Sequence, residues 1–195
     1  MKTGLLLSGG MDSIAIAYWK RPDVAFTIDY GQLSARGEIC ASESVCESLE
    51  IPHQVITVDC SSLGSGDLAG KTPTTLAPVS EWWPFRNQLL LTLAGMQAVA
   101  LSVSTLLFGS VKTDGAHADG RQEFFEKLDH VFSLQEGSLR INAPAIHLTT
   151  IELIKTSGVP LSLLGWAHSC HVFDFACGDC RGCFKYLDVM KELQA

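Results

Sequence analysis

The stretch Leu7-Ser8-Gly9-Gly10-Met11-Asp12-Ser13 decides the fold, because it joins an apolar, strand-like run to a helix-like one. Its two adjacent glycines allow backbone N–H groups to turn inward without a Cβ clash. Those amides, together with the first turn of the following helix, form a cradle suited to phosphate. Ser8 and Ser13 add hydroxyl donors, whereas the carboxylate of Asp12 is better suited to holding Mg²⁺ or capping the helix.

Two other phosphate-binding patterns do not fit this turn. A Walker A loop needs Gly-Lys-Ser/Thr, and no lysine follows the glycines here. A dinucleotide fingerprint needs three glycines at Rossmann spacing, which the stretch lacks. An ordinary tight turn between a strand and a helix, with Asp and Ser as caps, is the simpler alternative. The complete Ser-Gly-Gly-x-Asp-Ser pattern in this setting favours nucleotide binding over that alternative.

Outward from this turn, strand-like runs alternate with helix-like runs. The pattern predicts strands over 4–7, 24–29, 54–59, 105–109 and 140–143. It predicts helices over 13–20, 34–49, 89–101 and 121–134, the third beginning near Asn87. The long loop over 61–80 is of the kind that is usually functional or mobile. This alternation indicates a doubly wound α/β domain with a parallel sheet, spanning 1–195.

The composition fits one folded domain. Of 195 residues, 47% are hydrophobic and 18% charged, so the chain can bury a core and is not expected to be disordered. A net charge of −7, with no dense run of Lys or Arg, disfavours a nucleic-acid partner. The uncharged run over 89–108 has the length of a membrane span, but its hydroxyl and amide side chains favour a buried helix and strand. We therefore expect no membrane association.

Seven cysteines without a visible N-terminal signal indicate a reducing, cytoplasmic setting, where clustered thiols bind metal more often than they form disulfides. Four of them lie close together, namely Cys170, Cys177, Cys180 and Cys183. Their spacing predicts one tetrahedral, structural zinc ion in a segment over 170–183. An iron–sulfur cluster is the competing interpretation, and its usual downstream Cys-Pro is missing. Unligated thiols or two disulfides are a weaker alternative. Cysteines 40, 46 and 60 are predicted to be buried structural thiols.

The turn over 8–13 resembles the phosphate-binding loop of the PP-loop ATP pyrophosphatases. Members of that family bind ATP, attach AMP to a carboxyl or carbonyl oxygen and release pyrophosphate. The resemblance implies a five-stranded parallel sheet of the PP-loop, or adenine nucleotide alpha-hydrolase-like, type, with ATP and Mg²⁺ at this turn. The implied ATP-binding residues are Ser8, Gly9, Gly10, Met11, Asp12, Ser13, Asp29 and Tyr30. The last two follow a predicted strand, where ligands of open α/β sheets bind. A half-buried structural tyrosine is an equally good account of Tyr30.

Four further stretches narrow the resemblance to the QueC family, the 7-cyano-7-deazaguanine synthases, over nearly the full chain. They are Asp29-Tyr30-Gly31-Gln32, Pro84-Phe85-Arg86-Asn87, Gly109-Ser110-Val111-Lys112-Thr113-Asp114 and the terminal cysteine set. The resemblance implies an ATP-dependent ligase that adenylates 7-carboxy-7-deazaguanine and converts it with ammonia to 7-cyano-7-deazaguanine, in queuosine biosynthesis. It also implies a small-molecule acid and an amine donor as partners, and pairing with a second copy of the chain.

Activating a carboxylate beside a phosphate requires cationic and N–H donors, because the two anions repel each other. The resemblance implies catalytic roles for Asp12, Arg86 and Lys112. Arg86 stands at a helix start, where a cation is ordinarily disfavoured, which strengthens its functional interpretation over that of a surface arginine. The implied substrate-binding residues are Gln32, Arg86, Asp114, Asp119, Arg121, Glu123 and Phe124. Helix-capping acids are the alternative explanation for the carboxylates, above all for Glu123.

The chain departs from the family pattern in two places. In the family's Tyr-Pro-Asp-Cys run, three residues differ, here His117, Ala118 and Gly120. Thr150 replaces a family lysine that would offset phosphate charge. Its loss either weakens the chemistry or moves this role to Lys71, Lys112 or Lys155.

These departures leave other functions open. One is a QueC-like paralogue that joins a deazapurine acid to another amine, including one on a protein, and stops at the amide. A second is a nucleotide-binding module without catalysis. A third, a tRNA-modifying PP-loop enzyme, is disfavoured by the net charge of −7.

Overall fold

A central parallel sheet of five strands organises the computed structural model, which describes residues 1–194 except for the side chain of Ala116. The strands are β1 (Thr3–Leu6), β2 (Val24–Asp29), β3 (His53–Thr57), β4 (Thr105–Phe108) and β5 (Arg140–Asn142). Their order across the sheet is β3-β2-β1-β4-β5, and every adjacent pair is parallel. The predicted five-stranded, doubly wound α/β fold is confirmed, and each strand lies within two residues of its predicted bounds.

Seven helices connect and follow these strands. They are α1 (Met11–Lys20), α2 (Ala35–Leu49), α3 (Arg86–Ala100), α4 (Gln122–Ser133), α5 (Thr150–Ser157), α6 (Leu161–Leu164) and α7 (Arg181–Gln194). The first four agree with the sequence prediction, although α1 begins two residues earlier. The last three were not predicted. Helices α5 and α6 are short, and α7 begins inside the cysteine cluster, where the spacing of the thiols dominates the sequence pattern.

Side chains on the two faces of the sheet build two separate cores. Leu5 and Leu107 point to the face covered by α1, α2 and α5 to α7. Leu6, Phe26 and Leu106 point to the opposite face, which α3 and α4 cover. Successive strand residues face opposite sides, so strands buried on both faces are apolar throughout.

The strand order reverses its direction at β1, since the chain moves outward from β1 to β3 and then returns to place β4 on the other side. In open α/β sheets such a switch point leaves a crevice beyond the carboxyl ends of the two central strands. The turn that follows β1 therefore lies at the place where this fold binds ligands.

The loop over 61–80 is packed against the domain. It contains two short 3₁₀ turns, Ser61–Leu63 and Asp67–Ala69. The amide of Leu33 donates to the Leu68 carbonyl at 2.9 Å, and the Leu68 side chain is buried in the core beneath α3. This anchoring brings the end of the loop close to the start of α3.

The apolar run over 89–108 forms the rest of α3 and then β4, as predicted. Within residues 1–194, no helix combines the length and the apolar character needed to cross a membrane. Of the three isolated cysteines, Cys46 and Cys60 are buried, but Cys40 is exposed on α2, so the predicted burial was wrong there.

Candidate active site

A cavity of about 660 Å³ opens beyond the carboxyl ends of the central strands. Its wall is formed by the turn after β1, the start of α3, the segment after β4 and the cysteine-bearing segment before α7. Among the predicted site residues, those along this wall are Ser8, Gly10, Met11, Asp12, Ser13, Tyr30, Arg86 and Asp114. The cavity thus combines residues that lie far apart in the sequence.

The turn between β1 and α1 owes its shape to Gly9, which has φ +71. A Cβ on Gly9 would lie 2.7 Å from the carbonyl oxygen of Glu38, too close for any other residue. Gly10 precedes α1 in an extended conformation, and a Cβ there would meet nothing nearer than the Ser8 hydroxyl at 3.6 Å. The Ser13 hydroxyl donates to the Gly10 carbonyl at 2.9 Å. The free amides at the start of α1 therefore face the cavity as anion donors.

Asp12 makes an ion pair that the sequence did not reveal. The Lys185 Nζ atom lies 2.9 Å from Asp12 Oδ2, whereas Asp12 Oδ1 is buried without a hydrogen-bond partner. Lys185 belongs to the first turns of α7, two residues after Cys183. In the sequence, Lys185 is marked only by its position beside the cysteine cluster. That position does not indicate contact with Asp12 unless the tertiary fold is known.

Asp114 joins Asp12 and Lys185 at this end of the cavity. Its Oδ2 atom accepts a hydrogen bond from the Val111 amide at 3.0 Å. Burial raises the pKa of Asp114 above its usual value, although Lys185 opposes the shift. Burial lowers the pKa of Lys185, but the carboxylates of Asp12 and Asp114 outweigh that effect and raise it overall. Lys185 therefore lies close to two carboxylates, those of Asp12 and Asp114.

A second polar group lies at the end of β2. Tyr30 is buried and packs edge-on against Trp83, with ring centroids 4.9 Å apart. Glu38 accepts hydrogen bonds from Gln32 Nε2 at 3.0 Å and from the Ser34 hydroxyl at 2.7 Å. Burial raises the pKa of Glu38 to about 7 despite these donors. Glu38 also lines the cavity. The sequence analysis did not identify it as a site residue, because it lies in none of the motifs that resemble the family.

The side chains of Gln32 and Asp119 form hydrogen bonds to backbone atoms, and neither residue lines the cavity. The Gln32 side chain accepts from the Tyr30 amide at 2.9 Å and donates to the Ile28 carbonyl and to Glu38. Asp119 Oδ2 accepts from the Asn87 amide at 3.3 Å, and the Asn87 side chain donates to the Asp119 carbonyl at 2.9 Å. These contacts fix the turn after β2 and the first turn of α3, which carries Arg86.

The other predicted site residues also lie away from the cavity wall. Arg121 donates to the Gly115 carbonyl at 3.1 Å, and Glu123 forms an exposed ion pair with Lys127 on α4. Phe124 packs edge-on against Phe125 at the margin of the core. Asp29 accepts from the Gly31 amide, and the Lys112 amide donates to the Leu148 carbonyl while its side chain is exposed. The structure does not bring these five side chains together with the phosphate turn.

The four clustered cysteines converge as the sequence predicts. Their Sγ atoms all lie within 4.8 Å of one another and can hold a metal ion. The Cys177–Cys183 and Cys170–Cys180 Sγ distances are 3.8 and 3.9 Å. Bonds of about 2.3 Å from one tetrahedral zinc ion would place two sulfurs about 3.8 Å apart. The amide of Asp179 donates to Cys177 Sγ at 3.4 Å and lowers the pKa of that thiol to about 7.

The cysteine-bearing segment also completes the cavity. The amide of His168 donates to the Gly9 carbonyl at 2.9 Å, behind the phosphate turn. On the facing side, Arg181 Nη1 lies 3.1 Å from Glu81 Oε1, which joins α7 to the segment before α3. A metal bound by the four thiols would therefore fix two walls of the site.

Comparison with known proteins agrees with this architecture. The chain matches the family described as "Queuosine biosynthesis protein QueC" over residues 2–194. The chain belongs to the QueC family. The resemblance seen in the sequence motifs is confirmed.

Relatives of this QueC-family chain include two 7-cyano-7-deazaguanine synthases. The one from Desulforudis audaxviator is 33% identical, over 94% of this chain and 93% of the relative. The one from Methanosarcina mazei is 26% identical, over 99% of this chain and 95% of the relative. The solved U34-tRNA thiolase NcsA from Methanococcus maripaludis, with its 4Fe–4S cluster, has a TM-score of 0.56 at 16% identity. That likeness covers 100% of this chain and 65% of the thiolase, and it shows the fold alone.

Proposed function

We propose that this QueC-family protein uses ATP to adenylate 7-carboxy-7-deazaguanine, converts the adenylate with ammonia to the amide, and dehydrates the amide to 7-cyano-7-deazaguanine after a second adenylation. The observation that carries the proposal is the phosphate cradle at the start of α1, which opens into a cavity large enough for a nucleotide and a second small molecule. The names of the curated relatives support the identity of the acid and of the product.

The diphosphate of ATP would bind the free amides at the start of α1 and the Ser8 and Ser13 hydroxyls. Asp12 Oδ1, buried and without a partner among the described residues, is the atom that fits a Mg²⁺ ion. That ion would neutralise phosphate charge as pyrophosphate departs. Lys185 would supply a second positive charge at the same end of the cavity, in the role that the resemblance gives to a lysine at position 150.

The deazapurine acid would bind between the start of α3 and the segment after β4. Arg86 lines the cavity and can hold the carboxylate against the α-phosphate, offsetting the repulsion between them. Three acidic residues were predicted to bind the base, and of these Asp114 lines the cavity. Its carboxylate can accept hydrogen bonds from the ring N–H and amino groups of the deazapurine. The predicted roles of Lys112, Arg121, Glu123 and Phe124 would require those residues to move toward the ligand.

The metal bound by the four cysteines would be zinc with a structural role. A set of four thiolates leaves no open coordination position, so the ion would hold the segment over 170–183 in place. The residues of this segment, and of α7 behind it, would then supply contacts to the cavity.

Pyrophosphate exchange into ATP in the presence of 7-carboxy-7-deazaguanine tests the first step without any amine. We expect exchange that depends on the acid, and then nitrile product when ammonium is added, identified by mass. Exchange with amide as the only product would instead favour a paralogue acting on another amine, which the altered residues His117, Ala118 and Gly120 would then explain. ATP binding with no exchange would favour a nucleotide-binding module.

A further inference from the structure

Besides the Asp12 oxygen, three buried polar atoms of cavity-lining side chains have no hydrogen-bond partner among the described residues. They are His168 Nε2, Glu81 Oε2 and His171 Nδ1, and the last two belong to side chains that lie against the start of α7. Glu81 is only 8% exposed, and its other oxygen accepts from Arg181. Leaving such atoms unsatisfied costs more than leaving them in water, so the arrangement indicates a ligand that fills the gap.

The chemistry of the two atoms specifies what that ligand must offer. A carboxylate oxygen only accepts hydrogen bonds, and His171 Nδ1 also accepts when the ring proton is on Nε2. Glu81 and His171 both lie against the first residues of α7, because Arg181 pairs with Glu81 and a Cβ on Gly182 would lie 2.7 Å from His171 Nε2. A ligand that meets both atoms must bring several donors, and a positive charge beside the carboxylate. Ammonium and protonated primary amines have both properties.

The position of the pair fits the nucleophile of an acyl transfer. Arg181 and Lys185 lie four residues apart on one side of α7, where Arg181 contacts Glu81 and Lys185 contacts Asp12. Four residues of helix rise about 6 Å. Glu81 and Asp12 therefore pair with residues on successive turns of α7, and both line the same cavity as the turn over 8–13.

We infer that Glu81 Oε2 and His171 Nδ1 bind the incoming amine, as ammonium or a primary ammonium group, before it attacks the acyl-adenylate. The inference rests on the proposed function and adds the place and charge state of the second substrate. Glu81 takes one proton from the ammonium nitrogen, whose freed lone pair forms the C–N bond. The bond between the acyl carbon and the AMP oxygen breaks, its electron pair leaves with AMP, and the second proton passes to water.

The Glu81→Gln variant tests the site, because it keeps the shape and the contact to Arg181 while removing the charge. Acid-dependent pyrophosphate exchange, which needs no amine, should stay near the wild-type rate. The KM for ammonium in amide or nitrile formation should rise roughly tenfold or more, as expected when a charged hydrogen-bond partner is lost. Methylammonium and glycinamide, tested in the same way, distinguish free ammonium from a larger amine as the natural source. Glu47→Gln, an exposed acid on α2, is the matched control.

A binding measurement keeps the test independent of turnover. Ammonium chloride should stabilise the wild-type protein against thermal unfolding more than sodium chloride of equal ionic strength, and Glu81→Gln should remove the difference. Lack of exchange in the wild type, with ammonium stabilisation intact, would overturn the proposed function and leave the amine site supported. An unchanged ammonium KM in Glu81→Gln, or stabilisation equal to that of sodium, would overturn the amine site.

Discussion

Lys185 Nζ and Asp12 Oδ2 lie 2.9 Å apart, although 173 residues separate them in the sequence. The pair joins the helix that follows the cysteine cluster to the turn that follows the first strand. Thr150, where the resemblance implies a lysine, is buried in the first turn of α5, and neither it nor Lys71, Lys112 or Lys155 lines the cavity. The lysine beside the turn over 8–13 is therefore Lys185, which lies on the same helix as Cys183.

Replacing Lys185 by Met should weaken ATP binding about tenfold or more, since a charged hydrogen bond to the phosphates contributes about 1.5 to 3 kcal/mol. Lys185→Arg should retain part of the affinity, because it keeps the charge but changes the geometry. Titration calorimetry with ATP measures both. Lys185→Met also leaves the largely buried Asp12 carboxylate without this cation, so the melting temperature should fall, whereas Lys185→Arg should keep it closer to that of the wild type. Lys191→Met, an exposed lysine on the same helix, is the control, and equal ATP affinity in all variants would contradict the role given to Lys185.

The two glycines of the phosphate turn should respond differently to alanine. Gly9→Ala places a Cβ 2.7 Å from the Glu38 carbonyl at a positive φ, so it should lower the free energy of unfolding by about 1 to 3 kcal/mol. Gly10→Ala meets no close atom and should leave stability unchanged while crowding the anion cradle. Urea unfolding and ATP binding, measured on both variants, separate the two effects. Equal destabilisation by the two substitutions would contradict this account of the turn.

Removing the metal should weaken the ATP site as well as the cysteine segment. The four Sγ atoms surround one position, and the helix that carries Lys185 begins among them. We expect about one zinc per chain by elemental analysis, and its loss should free four titratable thiols after chelation of the wild type and three in Cys180→Ser. ATP affinity should fall together with the metal content. Cys40→Ser, at an exposed thiol that is not among the four grouped cysteines, should keep both the metal and the affinity.

The sequence predicted correctly those features that depend on residues close together in the chain. The strand, glycine turn and helix around Gly9 are fixed by residues next to one another, and the cysteines at 177, 180 and 183 converge within a short segment. Lys185, Glu81 and His171 reach the cavity only after distant segments pack together, so no spacing in the sequence announces them. Glu123 matches a family motif, yet in this protein it lies on an exposed helix surface and pairs with Lys127. A motif identifies the family, whereas the packing of α4 and α7 decides which of its side chains face the ligand.

Glu38 makes stability depend on pH in a direction opposite to that of most acids. Burial raises the pKa of its carboxyl to about 7 in the folded protein, from an ordinary value of 4.5 in the unfolded chain. The folded state therefore holds this proton more tightly than the unfolded state. The resulting stability is fully present below about pH 4.5 and is lost as the pH rises through about 7.

The Glu38→Gln variant should remove that dependence, because glutamine keeps the contacts to Gln32 and Ser34 without a titrating charge. The difference in the free energy of unfolding between wild type and variant should change by on the order of 2 kcal/mol between about pH 5 and pH 8, with the wild type losing stability relative to the variant. Urea unfolding at a series of pH values measures it, and Glu47→Gln on the exposed side of the same helix should show no such change. A difference that is constant across this range would mean that Glu38 is charged in the folded protein, and that the Arg86 charge, rather than burial, dominates its surroundings.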